Sequence, residues 1–224
     1  AVKFARESGL VLAVRGGGHN VSGNAVCDGG LTLDLSLMRS VRVDPNRQSL
    51  HAEGGTLWRD LDHEAEAFAL ATTGGLISST GIAGLTLGGG LGWLMSSYGL
   101  ACDNLLSVDV VTAAGELVTA SASENADLFW GLRGGGGNFG VATSLEYQLH
   151  PVGLMLGGLI IHPLEKAADL FRFYEAFTRE APDALGSMLL FLTGPDGERV
   201  AALALCYNGP PEQGEVLLAP LRAF

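Results

Sequence analysis

Three clusters of glycine, at residues 16–18, 88–90 and 134–137, constrain this chain more than any other feature. Glycine has no Cβ, so such clusters favour tight turns, bulges and places where the backbone comes close to a ligand. The chain holds 33 glycines among 224 residues, roughly twice the usual share of about 7%. Because they are clustered between well-patterned segments, these glycines are placed features and not linker filler.

Charge and hydropathy narrow the class of protein. A mean hydropathy of +0.29 and 47% hydrophobic residues indicate a packed globular chain. The net charge of −11 argues against nucleic-acid binding, which needs a basic stripe, and against a polybasic membrane anchor. An anionic cofactor stays possible, because backbone N–H groups hold phosphates without lysines.

Cysteine spacing and apolar runs exclude further classes. Cys27, Cys102 and Cys206 are widely spaced and form no CxxC or Cys/His pattern, so we expect neither a disulfide framework nor a metal site. The longest apolar run, residues 152–161, is too short to span a bilayer. No signal peptide is visible, which favours a cytoplasmic location. The first residues resemble the tail of a helix, so we expect a piece of a longer protein.

Hydrophobic periodicity predicts an α+β fold in two domains. Alternating segments include "LTLDLS", a hairpin formed by "SVDVVT" and "ELVTA", and a long strand "VATSLEYQL". Residues 57–68 have helical spacing, with Thr56 as the expected cap. After Pro151 the pattern changes to strand, helix, strand, strand and helix. We predict domains at 1–151 and 152–224, the second with an antiparallel sheet.

Several readings of the glycines compete. No GxxxxGK[ST] exists, so a Walker phosphate loop is excluded. Gly135, Gly137 and Gly140 match the letters of a Rossmann fingerprint, but a helix precedes them and a strand follows, which is the reverse of what that motif needs. Tight turns and bulges alone explain any single cluster equally well.

Taken together, the clusters favour a phosphate cradle. Gly16, Gly17 and Gly18 follow a buried strand and allow successive N–H groups to point into one cavity, a nest that suits a pyrophosphate. The tract of residues 79–93 offers a second wall of bare backbone. His19 directly follows the nest. A lone histidine more often serves only a turn, but here its neutral imidazole is placed as a nucleophile beside the phosphates.

These motifs resemble one enzyme family. "VRGGGHNVSG", "CDGGLTLDLS", "GGLISSTGIAGLTLGGGLGW" and "NADLFWGLRGGGGNFG" occur in the order and spacing of the FAD-linked oxidases with the vanillyl-alcohol-oxidase (PCMH-type) fold, specifically the berberine-bridge-enzyme-like branch. The resemblance covers residues 11–149. It implies a PCMH-type FAD-binding domain of two small α/β subdomains, followed by part of an α+β substrate domain, with segments missing at both ends.

The resemblance also implies a set of cofactor-binding residues. His19 would be joined to the 8α-methyl carbon of the flavin. The remaining expected FAD contacts are Gly16, Gly17, Gly18, Asn20, Thr80, Gly81, Gly84, Thr86, Gly90, Asn104 and Val141.

The tether is expected to be single. Doubly tethered members carry a cysteine just ahead of "STGIAG", and Ile77 occupies that place here, as in the bacterial members that include hydroxynicotine oxidases. The implied function is an FAD-dependent oxidase that takes hydride from a small alcohol, amine or sugar-like substrate and reduces oxygen to hydrogen peroxide. A flavin dehydrogenase of the same fold, or a non-catalytic FAD-binding fragment, are the alternatives. No catalytic base is assigned, and the oligomeric state stays open.

Overall fold

The computed structural model describes residues 1–194 and 196–224. The chain divides into two compact units, Ala1–Pro151 and Val152–Phe224, called here the first unit and the second unit. Both units mix helices with strands, so the predicted α+β class is confirmed. In the described residues, no helix is long and apolar enough to cross a membrane.

The first unit contains short strands and short helices. Its strands are β1 (Leu12–Arg15), β2 (Leu31–Asp34), β3 (Val41–Asp44), β4 (Ser49–Glu53), β5 (Leu70–Ala71), β6 (Leu105–Val111), β7 (Leu117–Ser121), β8 (Val141–Gln148) and β9 (His150–Pro151). Its helices are α1 (Val2–Glu7), α2 (Trp58–Glu66), α3 (Ile82–Leu87), α4 (Met95–Tyr98) and α5 (Ala126–Leu132), with 3-10 turns at Ala101–Asn104 and Gly136–Phe139.

The main sheet of the first unit is antiparallel, in the order β3-β4-β8-β6-β7. Strands β1 and β2 pair separately and in parallel, and β5 pairs with β9. Side chains alternate between the two faces of a strand, and the inner face of the main sheet buries Leu50, Val108 and Leu145 against Trp58 and Leu61 of α2. This core lies beneath the loop after β1 and the start of α3, which line the cavity described below.

The predicted hairpin is confirmed in β6 and β7. Val108 lies opposite Ala120, and both are buried. The connecting turn is closed by a hydrogen bond from the Thr112 N–H to the Glu116 carbonyl. Gly115 has a φ of +74° in this turn, a value that favours glycine because it has no Cβ.

Helix α2 begins at Trp58, one residue later than a cap at Thr56 would predict. Leu57 is the N-cap, and its N–H donates to the Asp60 carboxylate over 3.0 Å. The expected cap at Thr56 is therefore wrong: its N–H donates to the Glu53 carbonyl, its carbonyl accepts from Ile82, and its hydroxyl is buried without a partner in the described chain. Trp58, Leu61 and Ala65 form the buried face of the helix.

The second unit follows the predicted order of elements. These are β10 (Leu156–Pro163), α6 (Ala167–Glu180), β11 (Leu185–Thr193), β12 (Arg199–Tyr207) and α7 (Pro211–Ala223), with a 3-10 turn at Leu164–Lys166. The antiparallel sheet has the order β10-β12-β11. Leu203 on β12 packs with Leu170 of α6 and Leu221 of α7, so one face of the sheet is covered by helices.

Candidate functional site

A cavity of about 670 Å³ lies in the first unit. Its volume falls within the range of roughly 300–1,000 Å³ that is typical of small-molecule and cofactor sites. Segments from four places in the sequence supply the walls: the end of β1 with its following loop, the turn after β4, the start of α3, and the 3-10 turn before β8. The lining residues that carry the argument are Gly16, Gly17, Gly18, His19, Asn20, Asn24, Thr80, Gly81, Gly84, Gly136, Gly137, Asn138 and Gly140.

The first wall is the loop after β1. Hydrogen bonding between β1 and β2 ends with the Leu35 N–H, which donates to the Arg15 carbonyl. No backbone carbonyl in the described chain accepts a hydrogen bond from the N–H groups of residues 16–19. Gly18 adopts a φ of +74°, which turns the loop sharply. A row of unpaired backbone donors at a cavity wall is suited to an anion.

The second wall touches the first through backbone atoms. A Cβ built on Gly17 would lie 2.2 Å from the Gly81 nitrogen, and a Cβ on Gly81 would lie 2.4 Å from the Gly17 nitrogen. Neither position has room for a side chain, so the two loops approach each other only because both residues are glycine. Gly84, one helical turn further on, faces open space instead, since a Cβ there meets nothing within 4 Å.

The second wall is anchored to the start of α2. The N–H of Trp58 donates to the Thr80 carbonyl over 3.0 Å, and the N–H of Arg59 donates to the Ser78 carbonyl over 3.0 Å. The N–H of Ile82 donates to the Thr56 carbonyl over 3.0 Å. Consequently the backbone of residues 78–82 is held in place before any ligand binds.

His19 stands where the two walls meet. Its Nε2 atom lies 3.1 Å from the Ser79 hydroxyl, and its Nδ1 atom lies 3.5 Å from the Thr80 hydroxyl. The side chain is exposed and lines the cavity. Asn20 uses its side-chain oxygen within its own loop, because Oδ1 accepts from the N–H groups of Ser22 and Asn24, each over 3.1 Å.

A third wall was missed from the sequence. Gly136, Gly137, Asn138 and Gly140 line the cavity. This tract contributed to the family resemblance, but these residues were not among the expected FAD contacts. A Cβ on Gly136 or Gly137 meets nothing within 4 Å, so both present bare backbone to the cavity. The available signal was the cluster itself, the third of its kind in the chain.

Four predicted cofactor contacts do not reach the cavity. Thr86 lies two residues after Gly84 in α3, which at about 100° per residue places it on the opposite side of the helix, where its hydroxyl is 2.8 Å from that of Tyr147. Val141 neighbours Ala142, which lines the cavity, so its side chain points to the other face of β8. Gly90 packs against Ala101. A role for these residues in FAD binding stays a prediction.

Asn104, the fourth of these residues, is buried in a polar cluster behind the cavity. Its Nδ2 donates to the carbonyls of Tyr98 and Leu100, over 3.0 and 2.8 Å. Its Oδ1 must therefore accept, and His150 Nε2 lies 2.6 Å away as the donor. The ring of His150 stacks on Tyr98 with centroids 4.0 Å apart. Burial lowers the pKa of His150, because the charged imidazolium loses hydration.

The described cavity lining has no acidic, lysine or arginine side chain, although the chain as a whole is acidic. The formal net charge is −11, yet no Asp, Glu, Lys or Arg is found among the described residues that line the cavity. An anion placed there meets N–H donors, amides and hydroxyls, and no carboxylate is among the described lining residues. The described chain also contains no cluster of three His, Cys, Asp or Glu that would hold a metal ion.

Comparison with known proteins identifies this architecture. Residues 1–121 match the model of the FAD binding domain family FAD_binding_4. The chain belongs to that family. It is similar to the FAD-linked oxidoreductase pgmH of Aspergillus terreus, with 37% identity over 100% of this chain and 46% of the relative. The chain thus spans about half the length of the relatives it matches.

Two solved structures show the same fold. The 6-hydroxy-D-nicotine oxidase of Arthrobacter nicotinovorans superposes with a TM-score of 0.92 at 36% identity, covering 99% of this chain and 49% of that one. BBE-like protein 28 of Arabidopsis thaliana gives a TM-score of 0.86 at 26% identity, over 97% and 46%. These comparisons confirm the resemblance to FAD-linked oxidoreductases of the berberine-bridge-enzyme-like branch. They also confirm the predicted PCMH-type fold.

The cavity fits the cofactor of this family. FAD carries a doubly negative pyrophosphate, which needs close hydrogen-bond donors and no opposing charge. The unpaired N–H groups of residues 16–19 supply such donors. The open space at Gly84, Gly136 and Gly137, where any Cβ would project freely, leaves room for a bulky ligand against bare backbone.

Proposed function

We propose that this protein is an FAD-dependent oxidase whose flavin is tethered through His19. A small alcohol, amine or sugar-like substrate would give hydride to the flavin, and oxygen would be reduced to hydrogen peroxide. The observation that carries the proposal is the position of His19, which directly follows the row of unpaired N–H groups and also touches the second wall. If the pyrophosphate of FAD binds at this loop, the flavin ring of the same molecule can reach the His19 imidazole.

Different residues of the chain would have different roles in binding FAD. The loop of residues 16–19 would hold the pyrophosphate through its backbone donors, and Thr80 and Gly81 line the same cavity next to that loop. Asn20 stabilises the loop through its two bonds to backbone N–H groups. When bound, the flavin ring supplies the redox chemistry, accepting two electrons from a substrate and passing them to an acceptor.

His19 would supply the nucleophile for the tether. One of its ring nitrogens would bond to the 8α-methyl carbon of FAD, which would lose one proton, and the other ring nitrogen would release its own proton. The two electrons left over would be carried off by oxygen through the redox chemistry that FAD supplies. The expected adduct therefore has the mass of FAD less two hydrogen atoms.

The positions of the thiols support a single tether. None of the three cysteines is among the described residues that line the cavity. Cys102 is buried next to Asp103, and burial raises the pKa of its thiol, which lowers the share of reactive thiolate. Ile77 occupies the place where a second, cysteinyl attachment would start.

The first experiment is the intact mass of the denatured full-length protein. The wild type should carry one FAD less two hydrogens, and His19→Ala should carry none. His63→Ala is the matched control, because His63 is an exposed residue of α2 outside the cavity lining and should keep the adduct. An adduct that persists in His19→Ala, or a wild type without flavin, overturns the proposal.

Oxygen reactivity needs its own measurement. After anaerobic reduction by candidate alcohols, amines and sugars, air is admitted and hydrogen peroxide is quantified. Rapid return of the oxidised spectrum with one peroxide per flavin supports an oxidase. Slow return in air, with fast return on adding an artificial electron acceptor, would indicate the dehydrogenase instead. A flavin that no substrate bleaches would indicate a non-catalytic FAD-binding protein.

A further inference from the structure

Ser79 makes the closest polar contact of the His19 ring. Its hydroxyl lies 3.1 Å from Nε2, within the normal range for a hydrogen bond. Ser79 is partly buried and does not appear among the described residues that line the cavity. It therefore contacts the ring from outside the described cavity lining.

The hydroxyl is held in place by the backbone around it. The Ser78 carbonyl accepts from Arg59, the Thr80 carbonyl accepts from Trp58, and the Thr80 N–H donates to the Ile77 carbonyl, each over 3.0 Å. Hydrogen bonds on both sides of Ser79 fix its Cα, so its side chain has little freedom beyond rotation about χ1.

We propose that Ser79 is a positioning residue that sets the tautomer of His19 for tethering, an inference that rests on the proposed function. A neutral imidazole has one N–H and one lone pair, and only the lone-pair nitrogen is a nucleophile. With the proton on Nε2 and donated to Ser79, the lone pair is on Nδ1. The opposite tautomer is unproductive, because Nε2 then accepts from Ser79 and Nδ1 carries the proton.

The distances leave Nδ1 as the freer of the two ring nitrogens. The Thr80 hydroxyl is 3.5 Å from Nδ1, at the outer limit for a hydrogen bond, so it engages an Nδ1 lone pair only weakly. Ser79 serves the product as well. Once Nδ1 is bonded to carbon, Nε2 has lost its proton, and the same hydroxyl can rotate and donate to it.

Three variants of the full-length protein test this role. Ser79→Ala removes the hydroxyl, Ser79→Thr keeps it, and Ser78→Ala is the matched control on an exposed neighbour. Each is produced in riboflavin-starved cells, FAD is added, and covalent adduct is followed by intact mass. The loss of one hydrogen bond predicts adduct formation roughly threefold to tenfold slower in Ser79→Ala, with rates near wild type in the other two. Non-covalent FAD affinity should stay within about twofold in all three.

A second readout does not depend on the flavin. Imidazole ¹⁵N shifts of His19 in the FAD-free protein report which nitrogen carries the proton. We expect the Nε2–H form in the wild type and in Ser79→Thr, and a mixture of both forms in Ser79→Ala. Unchanged tautomer and unchanged adduct rate in Ser79→Ala would overturn the positioning role alone. A wild type that never forms an adduct would overturn the proposed tether, whatever the tautomer.

Discussion

The contact between the two cavity walls gives the sharpest prediction. Replacing Gly17 by alanine places a Cβ 2.2 Å from the Gly81 nitrogen and 2.5 Å from its Cα. Ordinary contacts begin near 3.4 Å, so the loops must separate by about 1 Å. The obstacle is backbone and not the end of a flexible side chain, so rotation cannot relieve it. Gly17→Ala should therefore destabilise the first unit.

The size of the effect follows from what holds Gly81 in place. The bonds from Trp58 to Thr80 and from Ile82 to Thr56, each 3.0 Å long, flank the residue that must move. Breaking both costs about 2 kcal/mol at roughly 1 kcal/mol each, and overpacking a tight site costs roughly 1–3 kcal/mol. Together these costs give a loss of about 3–5 kcal/mol in the free energy of unfolding, equivalent to a fall in Tm of roughly 6–20 °C.

Gly84→Ala is the matched control for this experiment. A Cβ at Gly84 meets nothing within 4 Å, and alanine in a helix is favoured over glycine by roughly 0.5–1 kcal/mol. The fold should thus become slightly more stable. The new methyl group projects from a cavity wall, however, so FAD affinity should fall, by about tenfold for one misplaced contact of roughly 1.4 kcal/mol.

Urea unfolding followed by circular dichroism measures stability, and quenching of flavin fluorescence measures affinity. Gly17→Ala should lose both, whereas Gly84→Ala should lose affinity alone. If Gly17→Ala unfolds at the same urea concentration as the wild type, the close approach of the two loops does not exist, and the argument for the shared cavity wall fails with it.

Three further predictions concern polar groups behind the cavity. Burial lowers the pKa of His150, so the unfolded chain binds this proton more readily than the folded one. Stability should therefore fall as the pH drops below the ordinary histidine value of about 6.5 toward the lower folded value. His150→Gln should make the urea midpoint depend less on pH between pH 7.5 and 5.5, and an unchanged pH dependence would contradict this. Tyr147→Phe leaves the buried Thr86 hydroxyl without its 2.8 Å partner and should cost roughly 1–3 kcal/mol, part of which Thr86→Val should restore in a double-mutant cycle. Thr56→Val removes a buried hydroxyl that has no partner in the described chain, so chemical denaturation should show equal stability or a gain of up to about 1 kcal/mol; a clear loss would mean that the hydroxyl is hydrogen-bonded.

Much of the fold was predictable because its longer elements have clean periodicity. The hairpin of β6 and β7, the long strand β8 and the order of elements in the second unit all follow from alternation or helical spacing. Helix α3 was not predicted. Its glycines at both ends and in its middle weigh against a helix, and it forms because packing buries Ile82 and Leu87. Tertiary contacts there override local propensity.

The sequence predicted only part of the candidate site. His19 and the loop before it were identified from adjacency in sequence, and the structure places them together at the cavity. Thr86 and Val141 point away, because the periods of 3.6 and 2 residues turn them to the opposite faces of α3 and β8. Motif resemblance names a segment of the chain, whereas only the geometry of the element decides which of its residues reach the ligand.

The wall formed by Gly136 and Gly137 was missed for a related reason. Sequence reasoning did predict a backbone cradle at residues 16–18, but it set the third cluster aside because a helix precedes it and a strand follows, which is the reverse of the Rossmann order. In a chain with a net charge of −11, the described cavity lining has no lysine or arginine, so we expect backbone N–H groups to be the main donors to an anion there. Those donors are exposed only where no Cβ covers them. We therefore expect residues 16–18, 136 and 137 to contribute to binding through bare backbone, and His19 through its side chain.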